Sequence, residues 1–301
     1  MTHASDRNGR RRHKAVDNRA PVPGLGSRLA AAKLLSAIVD KRASMDGLLD
    51  PSNGNPAWRA LSEQDRSLVR AILQAALRNL PIIDAFIDRL VTRPLPEGAV
   101  ALRHTLRIAA TQILFLDIPA HAAVNIAVEM ARGDPRNRRF TALVNALLRQ
   151  MIRRRDTELP QLQSQVTNAP AWLAELVETT YPDRALAIFE AHRHPAAIDL
   201  TVKSDAESWA VRLGGRVTPT GSVRLGQIDG PITELEGFAD GEWWVQDAAA
   251  SVPAHLFGDI AGWRVADLCA APGGKTAQLA LAVVPAVPRE AAVGAGGAAS
   301  R

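Results

Sequence analysis

The sequence predicts a multidomain chain: an all-α helical bundle, a small α+β module, and the start of an α/β domain. Three observations carry this. From Ser27 to about Arg155, apolar residues recur with helical period and no convincing strand. Between residues 157 and 240, short alternating runs and glycines appear among the helical patterns. Near the end, the apolar run Val265 to Cys269 reads as a buried strand, Ala270 to Gly274 as a loop of small residues, and Lys275 to Leu281 as a helix.

A length of 301 residues is enough for two or three domains with a sizeable core, and 47% hydrophobic residues is ordinary for a globular protein. The net charge of +5 favours a polyanionic partner modestly, because 31 acids offset 36 bases. A single cysteine, Cys269, excludes an internal disulfide framework and any multi-cysteine zinc site. No secretory signal opens the chain and no run approaches a membrane span, so a soluble, cytoplasmic protein without membrane or metal partners is expected.

Residues 1–26 carry Arg7, Arg10, Arg11, Arg12, Lys14 and Arg19 among polar residues, which predicts a disordered basic tail. Ser27 can cap a helix whose Ala31, Leu35 and Ile38 share one face. Ser62 and Asp65 resemble a capping box, in which the carboxylate reaches back to a free N–H. Behind them, Leu68, Val69, Ile72, Leu73, Ala76 and Leu77 form a stripe, and Pro81 ends it. Ile83, Phe86, Ile87 and Leu90 make the next face. Helical period resumes with Val100, Leu106, Ala109 and Ile113, and again with Val124, Ala127, Val128 and Ala131. Phe140, Leu143, Val144, Leu147, Leu148 and Met151 form the last stripe. Such stripes are core.

The polar side of that last segment is different. Residues 132–155 hold eight arginines (Arg132, Arg136, Arg138, Arg139, Arg149, Arg153, Arg154 and Arg155) against one acid, Asp134, a net +7 in 24 residues. A face kept merely solvated normally mixes both signs. The planar guanidinium fork donates two hydrogen bonds at once to phosphate, so the run points to nucleic acid, with Arg136, Arg138, Arg139 and Arg149 as candidate contacts.

Further on, Asn168 can cap a helix with Pro170 in its first turn, and Pro182 separates a second helix through Phe189. Ile198 to Lys203 alternates like a strand, Ser204 can cap a helix to Leu213, and Gly214-Gly215 closes it. Val217 and Val223 to Leu225 read as short strands around Gly221. His192 and His194 form a pair that lacks the further ligands a metal site needs. Gly241 to Asp247 reads as a strand running into a helix capped by Asp247.

Three ligand readings compete for Ala270 to Thr276. A phosphate-wrapping P-loop would place its leading glycine at position 269, which is Cys269. A dinucleotide fingerprint needs G-x-G-x-x-G, which Gly273-Gly274 does not supply. S-adenosylmethionine, whose carboxylate and ammonium need close backbone and not a phosphate cradle, remains.

Two resemblances sharpen this reading. Ser62 to Arg66, Leu102 to Leu116, Pro119 to Asn125 and Phe140 to Arg149 resemble the NusB-like RNA-binding fold. Asp267-Leu268-Cys269-Ala270-Ala271-Pro272-Gly273-Gly274-Lys275-Thr276 resembles the cofactor-binding motif of the Sun/Fmu family of ribosomal RNA cytosine-C5 methyltransferases, and Val245 to Ala250 matches that family's preceding segment. The resemblance implies a basic tail at 1–26, a NusB-like domain at 27–156, an α+β connecting module at 157–240, and at 241–301 the first part of a Rossmann-like class I methyltransferase domain with an irregular tail from about 282. It also implies S-adenosyl-L-methionine as cofactor, held by Cys269, Ala270, Ala271, Pro272, Gly273, Gly274 and Lys275, and ribosomal RNA as partner.

Members of this family attack cytosine with a cysteine on a later loop, typically within Pro-Cys, and use a second cysteine within Thr-Cys for release. Neither dipeptide occurs here, and Cys269 belongs by resemblance to the cofactor wall. The chain is therefore expected to be cut short and inactive, with no catalytic residue of its own. The rival expectation is a non-catalytic RNA-binding protein acting like an antitermination factor.

Overall fold

The structure, a computed structural model, describes residues 22–283 apart from 97, 227 and 229. Most of the expected basic arm and most of the irregular tail fall outside the described residues. The chain divides into two compact units, Met1–His194 and Pro195–Arg301.

The first unit is helical throughout its described residues. Its helices are α1 (Leu25–Lys41), α2 (Met45–Leu48), α3 (Pro56–Arg59), α4 (Glu63–Arg78), α5 (Leu80–Leu90), α6 (Val100–Phe115), α7 (Ala120–Gly133), α8 (Thr141–Gln165), α9 (Ala171–Thr180) and α10 (Ala185–His192). Helix α6 is the axis, buried at every residue from His104 to Ile113. On one side, Leu102 and Leu106 join Phe86 of α5, Val124 of α7 and Leu148 of α8 in one core. On the other, Ile108 joins Leu34 and Leu35 of α1, Trp58 of α3, and Ile72 and Leu73 of α4 in a second.

A helix buried all round must satisfy its polar groups inside the protein. Arg107 forks onto both oxygens of Asp84 at 2.8 and 2.7 Å, and His104 Nε2 lies 2.8 Å from Asp40 Oδ2. Arg28 Nε donates to Gln112 Oε1 at 2.9 Å. Val100, read as part of the apolar stripe, instead sits at the helix start with 48% of its surface exposed.

Several local expectations shift by a residue or two. Ser27 does not cap α1. The helix begins after Gly24, whose φ of 76° starts the turn, and the buried Ser27 hydroxyl donates back to the Gly24 carbonyl at 3.0 Å. Ser62 caps α4 by accepting from Asp65 N–H at 3.2 Å, but the Asp65 carboxylate takes the Ser62 hydroxyl instead of a backbone N–H. Pro81 stands in the first turn of α5, where its missing N–H costs nothing. Helix α8 runs on to Gln165 with Pro160 inside it. Asn168 does not cap α9, because Pro170 occupies that position and the Asn168 amide donates to the Arg78 carbonyl.

The second unit holds a four-stranded antiparallel sheet in the order β2-β3-β1-β4. Its strands are β1 (Ile198–Val202), β2 (Arg216–Val217), β3 (Val223–Leu225) and β4 (Trp243–Val245), with helices α11 (Ala206–Arg212), α12 (Ala248–His255) and α13 (Gly274–Val283). Leu200, Val223, Leu225 and Trp243 pack against Trp209 of α11. Gly215 lets β2 close on β3, since a Cβ there would fall 2.7 Å from the Arg224 carbonyl oxygen. Asp205, one residue after the expected Ser204, caps α11 by accepting from Ser208 N–H at 3.1 Å. The Asp247 cap of α12 forms as expected, accepting from Ala249 and Ala250 N–H.

The expected strand at Val265 to Cys269 does not form. Val265 to Asp267 lie outside any sheet, Leu268 and Cys269 turn, and Leu268 is 94% exposed. A strand exists only through its ladder partners, and among the described residues no neighbouring strand pairs with this run.

Candidate functional site

Asp267 organises the small-residue loop. Its Oδ1 accepts the Cys269 N–H at 2.9 Å, and its Oδ2 accepts the Thr276 hydroxyl at 2.6 Å. The hydrogen bonds from Thr276 and Cys269 hold its carboxyl below the usual carboxylate range. One ionised side chain thus ties the start of the loop to the first turn of α13. Gly273 has φ of 119°, a conformation that L side chains rarely adopt. Its carbonyl accepts Ala277 N–H at 2.8 Å, so helical bonding begins there and leaves the N–H groups of Gly274, Lys275 and Thr276 at the helix end.

A buried amide network fixes where α13 stands. Gln278 donates to the Ser251 carbonyl of α12 at 3.2 Å and accepts from Gln246 Nε2 at 3.0 Å. Gln246 Oε1 in turn accepts from Thr201 Oγ1 at 2.9 Å and Trp244 Nε1 at 2.8 Å. Gln246 also packs on the loop, since a Cβ on Gly274 would meet its side chain at 3.4 Å.

Cys269 to Lys275 therefore come together as one turn. Cys269, Ala270, Ala271, Pro272 and Lys275 are exposed, while Gly273 and Gly274 are half-buried. An open groove of about 370 Å³ beside the loop is lined by Trp263, Val265, Leu279, Ala280 and Val283, with Asp267 and Thr276 at its edge. Small side chains, a glycine at positive φ and three helix-end N–H groups suit the close approach of a carboxylate. Residues that would hold a ribose or an adenine are not supplied by this turn.

The arginine run lies in the first unit, and all eight of its members are exposed. Arg138 and Arg139 stand in the 3₁₀ turn Arg138–Phe140 between α7 and α8. Arg136 and Arg139 line one hollow of about 430 Å³ with Asn137 and Phe140. The Arg139 guanidinium lies 4.7 Å from the Phe140 ring centre, and Arg138 Nε donates to the Arg132 carbonyl at 3.0 Å. Arg149 is further along α8, its Nε on Asn145. Arg132 pairs with Glu129, Arg154 with Glu158 and Arg155 with Asp156, so part of the run's charge is engaged on its own surface.

Sequence reasoning missed a basic face on α1. Lys33 and Lys41 stand eight residues apart with Ala37 between them, the spacing of one helix face, and they line the same cleft as Arg136. The signal was present as that spacing, but two lysines among alanines do not stand out without the facing helices. His192 and His194 lie at and just past the end of α10, where His194 is 3.4 Å from Glu190. Among the described residues, no group of three or more His, Cys, Asp or Glu is placed to hold a metal, and no helix is long and apolar enough to cross a membrane.

Comparison with known proteins gives three findings. The NusB family matches residues 26–153. The chain is 35% identical over 268 residues to "Ribosomal RNA small subunit methyltransferase B" of Xylella fastidiosa strain Temecula1, covering 85% of this chain and 59% of the relative. It is 34% identical over 269 residues to the protein of that name from Xanthomonas campestris pv. campestris, with 85% and 59% covered. To that of Vibrio cholerae it is 32% identical over 267 residues, with 84% and 59% covered. The chain thus spans about three fifths of the length of these relatives. Among solved structures, the crystal structure of PH0851 shares the fold with a TM-score of 0.53 at 20% identity, covering 88% of this chain and 62% of that one.

Proposed function

Because the chain belongs to the family of the ribosomal RNA small subunit methyltransferase B proteins and carries a NusB-family domain at residues 26–153, we propose that it is the RNA-binding and cofactor-loop part of an rRNA cytosine-C5 methyltransferase. The observation that carries the reading is the turn from Asp267 to Thr276, ordered by one carboxylate in front of a helix end. S-Adenosyl-L-methionine, when bound, supplies an activated methyl group on its sulfonium. Cys269 to Lys275 would face its amino-acid end, through backbone N–H groups at the start of α13 and the stem of Lys275. These residues would form the first part of a Rossmann-like methyltransferase domain.

Carbon 5 of cytosine is a weak nucleophile, so the reaction needs a thiolate added at carbon 6 and removed after methylation. Cys269, the single cysteine of the sequence, is exposed in the cofactor turn with its N–H on Asp267. On this reading it would line the methyl donor and would not attack the base. These 301 residues alone would therefore transfer no methyl group. A second reading, a non-catalytic RNA-binding protein of antitermination type, draws on the NusB-family match at residues 26–153, and saturable S-adenosylmethionine binding separates the two.

The test is methyl incorporation from labelled S-adenosylmethionine into small-subunit ribosomal RNA. The 301-residue chain is expected to give none. A chimera continuing into the C-terminal part of the Xylella fastidiosa relative is expected to methylate, and Gly273→Val in that chimera to lose the activity. A chimera that binds the RNA yet never methylates, beside an active intact relative, would contradict the assignment.

A further inference from the structure

A deep hollow of the first unit lies where α1, the start of α6 and the loop after α7 meet. Its volume is about 710 Å³, inside the range of roughly 300–1,000 Å³ typical of small-ligand sites. Its walls are of two kinds. Leu29, Ala32, Val100, Ala101 and Met130 form an apolar side, and Lys33, Lys41 and Arg136 stand along it with their charges exposed. Asp134 is the one acid among the described lining residues, and its carboxylate is engaged in bracing the loop, accepting from Arg136 N–H at 2.9 Å and Asn137 Nδ2 at 2.6 Å.

The wall also contains unfinished polar chemistry. His104 is 1% exposed, and its Nε2 sits on Asp40, which Ser36 also holds at 2.8 Å. Its Nδ1 is left without a hydrogen-bond partner among the described residues. Burial pushes the imidazole below its ordinary value despite the carboxylate, so the ring is neutral at neutral pH. With Nε2–H directed to Asp40, Nδ1 is an acceptor.

A second, smaller hollow shares Gly98, Arg136 and Asn137 with this one and continues to Arg139 and Phe140. Arg136 therefore faces both. A hollow with room for a nucleotide and one apolar wall, cations along it and a basic path leading away match a nucleotide that belongs to a longer strand.

We propose that this cleft takes one unstacked nucleotide of a single-stranded RNA, its phosphate held by Lys33, Lys41 and Arg136 and the neighbouring phosphate by Arg139. The inference rests on the reading of this unit as RNA-binding and names the form of RNA it takes. A duplex cannot offer a base to a hollow without opening, so single strands bind in preference.

Fluorescence anisotropy of a short single-stranded segment of small-subunit ribosomal RNA, and of the same segment as a duplex, tests this with three proteins. They are the wild-type chain, Lys33→Ala/Lys41→Ala, and Ala101→Trp, which fills the cleft from an exposed position. Wild type is expected to prefer the single strand, and each variant to weaken that binding about tenfold with the duplex hardly affected. The lysine pair should also flatten the salt dependence by up to about 0.7 in log–log slope, the share of the one phosphate they hold. Equal binding by all three proteins overturns the cleft assignment while leaving RNA binding in place, and no RNA binding by wild type overturns both. A nucleoside monophosphate alone is the remaining arm. Saturable binding of it, blocked by Ala101→Trp while RNA affinity is unchanged, would make this a free-nucleotide site and overturn the RNA assignment.

Discussion

Two aspartates show how much one carboxylate can organise. Asp199 of β1 is 3% exposed and forks onto Arg224 of β3 at 2.7 Å through both oxygens, while Oδ2 also accepts the Ala248 N–H that opens α12. The hydrogen bond from Arg224, with the Ala248 N–H and the nearby positive charge, holds its carboxyl below the usual range. Its contribution is therefore fully present above about pH 4, the value of an unfolded carboxyl, and is lost as pH falls through that toward the lower folded value. Because Arg224 is partly exposed, Asp199→Asn should cost about 2 kcal/mol at pH 7, below the cost of breaking a fully buried pair. Urea unfolding of both proteins should show that gap narrowing as pH falls below about 4. A gap that persists there would mean that the pair is not its source. Asp267 uses the same device on an exposed turn. Its place at the head of the motif was legible in the sequence; its bond to Thr276, nine residues on, was not, because only the folded turn brings them together.

At the scale of elements, legibility followed the amount of chain that each pattern uses. The long stripes of α4, α5, α7 and α8 fill the core as read, with Ile72, Phe86, Val124 and Leu148 buried. Caps depend on one residue: those of Ser62 and Asp247 held, whereas others slipped, from Ser204 to Asp205 and from Ser27 to the Gly24 turn. The strand at Val265 to Cys269 failed for a different reason. Its apolar pattern is sound, but a strand is a property of a sheet, and local sequence cannot supply the partner. Helix α13 nevertheless forms, tethered by Gln246 and Gln278. Replacing Gln246 by Leu would leave Thr201, Trp244 and Gln278 each short of a partner, at a cost of about 1–3 kcal/mol for a buried group. Hydrogen exchange of the α13 amides should then speed up while those of α6 stay protected. Unchanged exchange in α13 would show that the helix is held by something else.

At the scale of the whole molecule, charge and homology converge on the first unit. The NusB-family match at residues 26–153 covers the turn that carries Arg136, Arg138 and Arg139, and also Arg149. The composition signal, a net +7 in 24 residues, was legible without any structure. Its organisation was not: some arginines spend their charge on neighbouring acids, whereas Arg136 and Arg139 share a hollow. The turn from Asp267 to Thr276 carries the proposed cofactor role, and the sequence's single cysteine, Cys269, lies within it. On the proposed reading, RNA recognition is the activity to test first in this chain.

The most direct measurement is the affinity of the 301-residue chain for small-subunit ribosomal RNA across salt concentrations from about 50 to 200 mM, with and without Arg138→Ala/Arg139→Ala. The account predicts saturable binding that weakens steeply with salt, and a log–log slope shallower by about 1.4 in the double variant, two contacts at roughly 0.7 each. Identical affinity and slope for the two proteins would contradict it.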